Sequence, residues 1–362
     1  MDFLAGPGFG YDRNTVSILT YAHIIVQALS TPEKLWRVMN GPTSEVWFDH
    51  WREQLVAKGV QFKMNHSLEI IDHDGNSITG AYLRHDDTIV HLTGADHYVI
   101  AINPNNLEDI FKKSNMPELA EQHANLQVTN NQIGFQIAFS KKYTFPIKSS
   151  GYALIDSPYN ITFYPQEDHW KMKLPGTLIS GTVIASYNNG SLFGKPATSL
   201  NRNQLIQEII YQILESNSLR KDVPLDQADI IYAELYDEWT WNGEKLISKY
   251  KKWVNTVYND TFRPGQLTKY SSLYLAGAHT KTSMDSWSME AAAESGKIVS
   301  KHIAGNIFIR SHDLPIILEG IHMLDSPLAS IGLPHVIDWL FIILLIFTIY
   351  WIAKHKFSLN DY

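Results

Sequence analysis

Apolar positions along the chain recur with two periods. In "TSEVWFDHWREQLVAKG", Val46, Trp47, Trp51, Leu55 and Val56 repeat at helical spacing, and Gly59 follows as a stop. The spacing extends a helix-rich stretch over 31–58, punctuated by Asn40–Pro42. The next forty-odd residues switch to short β-rich runs, with a hairpin signal at Asp72–Asn76. They close on "HYVIAIN", a nearly continuous apolar run of the kind that forms a strand buried on both faces.

From about residue 106 to 267 the character changes. "NNQIGFQIAFS", "GYALIDS", "NITFYPQ" and "GTLISGTVIASY" predict strands of an antiparallel or mixed sheet. "NRNQLIQEIIYQILES" predicts an amphipathic helix capped by Asn201 or Asn203. A strand, "SSLYLAGA", then leads into a helix, "SMEAAAESGKIVSKHIAGN". Residues 306–335 are rich in Pro, Gly and isolated apolar positions and are expected to be a linker. The run from Trp339 to Ala353 carries no charge, and Val336 and Ile337 extend it past Asp338. As a helix, 336–353 would span about 27 Å, close to a thin bilayer. Trp339, Tyr350 and Trp351 stand where interfacial aromatics belong, and Lys354 and Lys356 end the run. The expectation is a C-terminal membrane anchor with the main domain in the cytosol.

Composition narrows the chemistry by exclusion. The 362 residues contain no cysteine, which removes disulfides, thiolate metal sites and a cysteine nucleophile and fits a reducing compartment. The formal charge of −7 comes without long charged runs, and the 30 Lys and Arg are scattered, so no nucleic-acid partner is expected. The 15 histidines show no H-E-x-x-H pattern or evident ligand pair, so no metal is expected. No G-x-S-x-G elbow appears. "GSLFGKP" has only three residues between its glycines, and Pro196 stands where a P-loop needs Ser or Thr. The opening "AGPGFG" is spaced G-x-G-x-G, with Tyr11 in the place of a third loop glycine and too little chain ahead for a strand.

The informative stretch runs from Leu273 to Ile303. It reads as a buried strand, a turn at Gly277, a polar loop, and a helix beginning near Ser288. Ala291, Ala292, Ala293, Ser295 and Gly296 permit close packing against that helix. Backbone N–H groups at Ser288 and Met289 would face outward at the positive end of its dipole, where negative charge is stabilised. On these residues alone, a strand–loop–helix with a small-residue face is more often plain packing than a binding site.

The same segment resembles the C-terminal flavin motif of the phytoene desaturase, hydroxysqualene dehydroxylase and flavin amine oxidase superfamily. That motif reads L-x-L-A-G-D-x-T-x-T, a short gap, then M-E-G-A-x-x-S-G. "KWVNTV", "RPGQLTKYSSLYLAG", Gly41–Gly80 and "HYVIAINP" resemble the superfamily's other segments in the same order, so the likeness spans residues 35–303. The resemblance implies an α/β fold: an incomplete FAD/NAD(P)-binding Rossmann-like domain with an interleaved α+β substrate domain, followed by the transmembrane helix. The implied division is 1–40 (substrate domain, including the opening glycine turn and "TVSILTYAHIIVQALS" as a helix), 41–105 (FAD domain), 106–267 (substrate domain), 268–305 (FAD domain), 306–335 (linker) and 336–353 (anchor).

By resemblance, FAD would be met by Gly277, Ala278, Thr280, Ser288 and Met289, with a backbone group of Leu68 at the adenine. The superfamily's usual acidic residue is Ala278 here, and the glycine of M-E-G-A is Ala291. Loss of a carboxylate removes a charge-assisted hydrogen bond worth about 1.5–3 kcal/mol. The superfamily's opening strand, G-x-G-x-x-G and helix do not precede residue 35. The resemblance therefore implies the C-terminal part of a FAD-dependent oxidoreductase of desaturase or dehydrogenase type, acting on a hydrophobic, isoprenoid-like substrate near a membrane. FAD binding by this chain alone is expected to be weak or absent, with the G-x-G-x-x-G segment on a second chain or removed. Two other readings stand beside it: a non-catalytic, membrane-anchored binding or structural module, and an amine oxidase. No residue is assigned as catalytic acid or base.

Overall fold

The helix expected before Gly59 opens with one wide turn, Ser44–Phe48, and continues as α1, Asp49–Ala57. Gly59 then takes φ +91°, a left-handed geometry that costs glycine nothing and stops the helix. The computed structural model describes residues 39–309 except 130–131, 148–150, 244 and 285. Beyond that span it describes 16–18, 20, 22, isolated positions between 320 and 333, and 336–358. The opening glycines, most of the helix expected at 15–30 and much of the expected linker lie outside the described residues. The chain divides into two units, Met1–Ser311 and His312–Tyr362.

In the first unit, β1 (His66–His73), β2 (Ile78–His85) and β3 (Thr88–Thr93) form an antiparallel meander. The Asp72–Asn76 turn is the predicted hairpin: Asp74 Oδ1 accepts from the N–H of Asn76 and of Ser77, both at 2.8 Å. β4 (Tyr98–Ile100) follows, then α2 (Leu107–Lys113) and α3 (Pro117–Asn125). β4 pairs in parallel with β14 (Leu273–Leu275), joining segments about 175 residues apart. A core of Ile71, Ile100, Leu107, Phe111, Met116, Leu273 and Leu275 packs beneath this pair.

Between the two parallel strands lies the antiparallel body, β5 (Val128–Thr129) through β13 (Lys252–Trp253). Its sheet has the order β10-β6-β9-β8-β7, built from β6 (Ile133–Phe139), β7 (Tyr152–Ala153), β8 (Ile161–Pro165), β9 (Leu178–Val183) and β10 (Ile230–Leu235). Alternation places Ile133, Phe135, Ile137 and Phe139 on one face, against α4 (Arg202–Glu215). Asn201 is the cap of α4: its side chain accepts from Gln204 N–H, and Gln204 answers onto Asn201 N–H in a full capping box. A short α5 (Asn217–Arg220) and the hairpin β11–β12 (Trp239–Asn242, Lys245–Ser248) complete this body. After β14 the chain enters α6, Met289–Ala304.

Two expectations need correction. "HYVIAIN" was expected to be buried on both faces, but β4 spans only three residues and Val99 is 48% exposed. Only one edge of β4 is paired among the described residues. In the second unit, the expected anchor is a helix, α7, Val336–Ser358. However, no helix among the described residues is long and apolar enough to cross a membrane.

Candidate functional site

Parallel strands end on the same side of their sheet, and ligands of open α/β sheets bind outside those ends. Here Ala101, Ile102 and Asn103 leave β4, while Gly277, Ala278 and His279 leave β14. With Trp287, Ser288, Met289, Glu290 and Ala292 at the start of α6 they line a cavity of about 570 Å³.

Gly277 makes the turn possible. Its φ of +118° is strained for any side chain, and an added Cβ would lie 3.0 Å from His279 Nδ1. Gly277 N–H donates to Ser295 Oγ at 2.8 Å, and that hydroxyl donates on to Ala292 O at 2.7 Å, tying the turn to α6. One residue back on the helix, the buried Glu294 carboxylate accepts from Ser283 N–H (2.8 Å), Ser283 Oγ (3.0 Å) and Met284 N–H (3.2 Å). The polar loop between β14 and α6 is thus held by two consecutive helix residues. Ser288 caps α6, its Oγ accepting from Ala291 N–H at 3.2 Å. The remaining N–H groups of that first turn have no partner within the helix, leaving partial positive charge at the cavity wall.

Behind the turn, Arg263 stacks over the Trp253 ring at 4.1 Å and donates to Thr280 O at 2.6 Å. Trp253 Nε1 donates to Ala278 O at 2.8 Å, so one stacked pair holds two successive parts of the turn. His279 is almost fully buried, and burial first, then His123 and Arg263, pushes its pKa down to about 3. The imidazole is neutral at ordinary pH. His123 meets it edge-on with ring centroids 5.9 Å apart, and burial lowers the His123 pKa as well. His123 Nδ1–H donates to Leu119 O at 2.7 Å, while Nε2 of both rings is buried without a partner.

Of the residues expected at a flavin, Gly277, Ala278, Ser288 and Met289 come together on the cavity wall. Thr280 lies behind it, fully buried, donating to Gly277 O at 2.9 Å and accepting from Gln266 Nε2 at 3.0 Å. Leu68 is on β1, half-buried against the core under the parallel pair, and does not line the cavity. Asn103, His279 and Trp287 were not anticipated. The signal for Asn103 was the polar residue ending an apolar strand run; for His279 it was its place beside Ala278 inside the motif.

The lining tests whether a flavin ring fits. Most of the wall is apolar or small, yet Asn103 Oδ1 and His279 Nε2 are buried polar atoms without partners. Orphaned polar atoms beside an apolar slot and a helix N-terminus suit a flat ring system with a polar edge. A model of the flavin-containing amine oxidoreductases matches residues 31–304, three-quarters of the chain. The chain belongs to that family.

Solved structures of similar fold include a putrescine oxidase redesigned for cofactor binding, at 12% identity and TM-score 0.52, covering 83% of this chain and 62% of that one. An oxidoreductase from Methanosarcina mazei matches at 14% identity and TM-score 0.49, covering 83% of this chain and 63% of that one. A reduced UDP-galactopyranose mutase matches at 13% identity and TM-score 0.48, covering 71% of this chain and 50% of that one. No curated protein sequence matches the chain. The chain spans less than two-thirds of the length of each of these solved proteins. The family typically binds FAD, and the size and mixed lining of the cavity at the α6 N-terminus are compatible with a flavin ring.

Proposed function

We propose that the chain forms the ring-binding and substrate-side part of a FAD-dependent oxidoreductase of desaturase or dehydrogenase type, acting on a hydrophobic, isoprenoid-like molecule. The observation that carries this reading is the cavity where the ends of β4 and β14 meet the N-terminus of α6. FAD would supply hydride acceptance. The protein's part is orientation and electrostatics: the first turn of α6 would favour negative charge on the polar edge of the ring. Asn103 Oδ1 can accept from a ring N–H, and neutral His279 adds a polar group without a competing charge. Ile102, Trp287 and Met289 would keep water from the ring. The apolar helix α7 supports delivery from a membrane, where such substrates partition, with the main domain on the cytosolic side. Ala278 and Ala291, which replace an acidic residue and a glycine of the motif, support a dependence on FAD contacts from outside the described residues.

Lumiflavin, the ring without its nucleotide tail, separates ring binding from nucleotide binding. Titrated against the purified chain, it should bind with a Kd on the order of 0.1 mM, and Ala292→Trp should abolish binding by filling the cavity. FAD should bind the chain alone no more tightly than lumiflavin. Absence of lumiflavin binding, or binding indifferent to Ala292→Trp, overturns the ring site and favours a non-catalytic module.

A further inference from the structure

Two histidines well separated in the chain face each other across the meander. His66 and His85 are partners in the antiparallel register of β1 and β2, at the end of that ladder, so their side chains project from the same face. Their imidazole rings stack with centroids 4.4 Å apart and planes 19° from parallel. His66 is also held from behind. Asn65 takes φ +58°, a left-handed turn that asparagine tolerates, and Met64 O comes back onto the ring. His66 Nδ1–H donates to that carbonyl at 2.7 Å, which fixes the tautomer and leaves a bare lone pair on Nε2 of the neutral ring. The ring nitrogens of His85 have no partner among the described residues. Neither residue is buried, so solvent and ions reach both. Neighbouring histidines are otherwise engaged: His73 binds Ser114 O and Gly75 N–H through its two nitrogens, and His91 binds the Asp72 carboxylate.

We propose that His66 and His85 form a two-imidazole chelate for a divalent transition-metal ion, with Cu(II) preferred over Ni(II) and Zn(II). Stacking alone requires no particular tautomer. Ligation requires the outward nitrogen to carry a lone pair, and a backbone carbonyl on the other nitrogen is what orients a ligating histidine and raises its basicity. His66 has that arrangement. An ion about 2.0–2.1 Å from each nitrogen needs the two nitrogens about 3 Å apart. Rings on directly opposed strand residues reach that spacing by side-chain rotation, with the ladder left intact. No third His, Cys, Asp or Glu completes the set among the described residues, so water fills the remaining positions and the ion is exchangeable. Two imidazoles and water suit tetragonal Cu(II), which also stands highest in the affinity order of the divalent ions. Strand register, not sequence spacing, creates the pair, which is why no ligand motif marks it in the sequence. Neither ring lines the cavity at α6, so the site stands independently of the flavin reading.

Calorimetric titration of the full chain, free of any histidine tag, with Cu(II), Ni(II) and Zn(II) in turn tests the site. The expected result is one Cu(II) bound with a Kd on the order of 1 μM, tighter than either other ion. Electron spin-echo spectroscopy of that complex should show two imidazole nitrogens on the copper. His66→Phe and His85→Phe each keep a ring in the stack and remove one ligand, so each should weaken this Cu(II) about a hundredfold without lowering the metal-free Tm. Cu(II) should raise the Tm of the parent chain and not that of His85→Phe. His91→Phe removes an imidazole from the same meander and should leave Cu(II) binding as it was. A readout without any substitution stands beside these: one equivalent of Cu(II) should protect His66 and His85, and not His91, from carbethoxylation by diethyl pyrocarbonate. No Cu(II) at that affinity, a single imidazole on the copper, or Zn(II) bound as tightly overturns the proposal. So does binding that survives either substitution in the pair or falls equally in His91→Phe, and so does carbethoxylation of His66 and His85 that Cu(II) leaves unchanged.

Discussion

The antiparallel body and the parallel pair bury apolar surface very differently. In the first, Phe135, Phe139, Phe163, Ile161 and Ile179 are essentially inaccessible, sealed between the sheet and α4. Around the second, Val99, Ile102 and Met289 are exposed, and in the helix that precedes β1 no side chain from Ser44 to Ala57 is buried. The rings of Trp47 and Phe48 stack at 5.2 Å and those of Trp47 and Trp51 at 6.3 Å, with Trp51 half exposed. Equally apolar sequence thus gives a closed layer in one region and an open one in the other. An antiparallel sheet can be completed by a single helix, whereas a parallel pair needs further strands and cover on both faces.

The sharpest way to break this contrast is in the closed region. Phe163→Ala should cost about 3–5 kcal/mol, read as a lower midpoint in urea unfolding, because it empties a fully buried site. A loss under about 1 kcal/mol would show that this core is looser than its geometry implies.

The hinge between strand and helix comes next. Glu294→Ala leaves the N–H groups of Ser283 and Met284 without their acceptor, and about 1–3 kcal/mol should follow. The same change should weaken lumiflavin binding, since the released loop carries Trp287 into the cavity wall. Destabilisation with unchanged ring binding would detach the loop from the site.

Acid probes the same turn from behind. His279 titrates near 6.5 when unfolded and near 3 when folded, so its neutral form stabilises the fold. That contribution is complete above about pH 6.5 and is lost as pH falls toward 3, at up to about 1.4 kcal/mol per pH unit. His123 is shifted in the same direction and adds to the loss. His279→Gln should flatten the dependence of urea stability on pH between about 6 and 4. An unchanged slope would assign the acid sensitivity elsewhere.

The smallest effect belongs to the open region. Trp51→Ala should change stability by no more than about 0.5 kcal/mol, despite removing the largest kind of side chain. A loss of several kcal/mol would mean that α1 is packed after all.

Local grammar made much of this fold legible in the sequence. The capping box at Asn201, the Asp72–Asn76 turn and the strand–glycine–helix run around Gly277 each state their geometry within a few residues. So did four of the cavity residues, because that motif is contiguous. Features set by distant partners were not legible. Apolar composition in "HYVIAIN" cannot say whether a second strand covers it, and Val99 is exposed because none does among the described residues. Leu68 sits away from the cavity because its β1 position is fixed by pairing with β2, where the register shifts between Leu68 and Ile70. The orphaned atoms of Asn103 and His279 arise only when both strand ends meet α6.

Amide hydrogen exchange on the isolated chain tests the open-and-closed contrast most directly. The account predicts that Val99 and Ala101 exchange at least about a hundredfold faster than Phe135–Phe139, since their N–H groups lie on an edge that has no strand partner among the described residues. Protection of Val99 and Ala101 equal to that of β6 would contradict it, showing that the parallel pair is already complete without a partner.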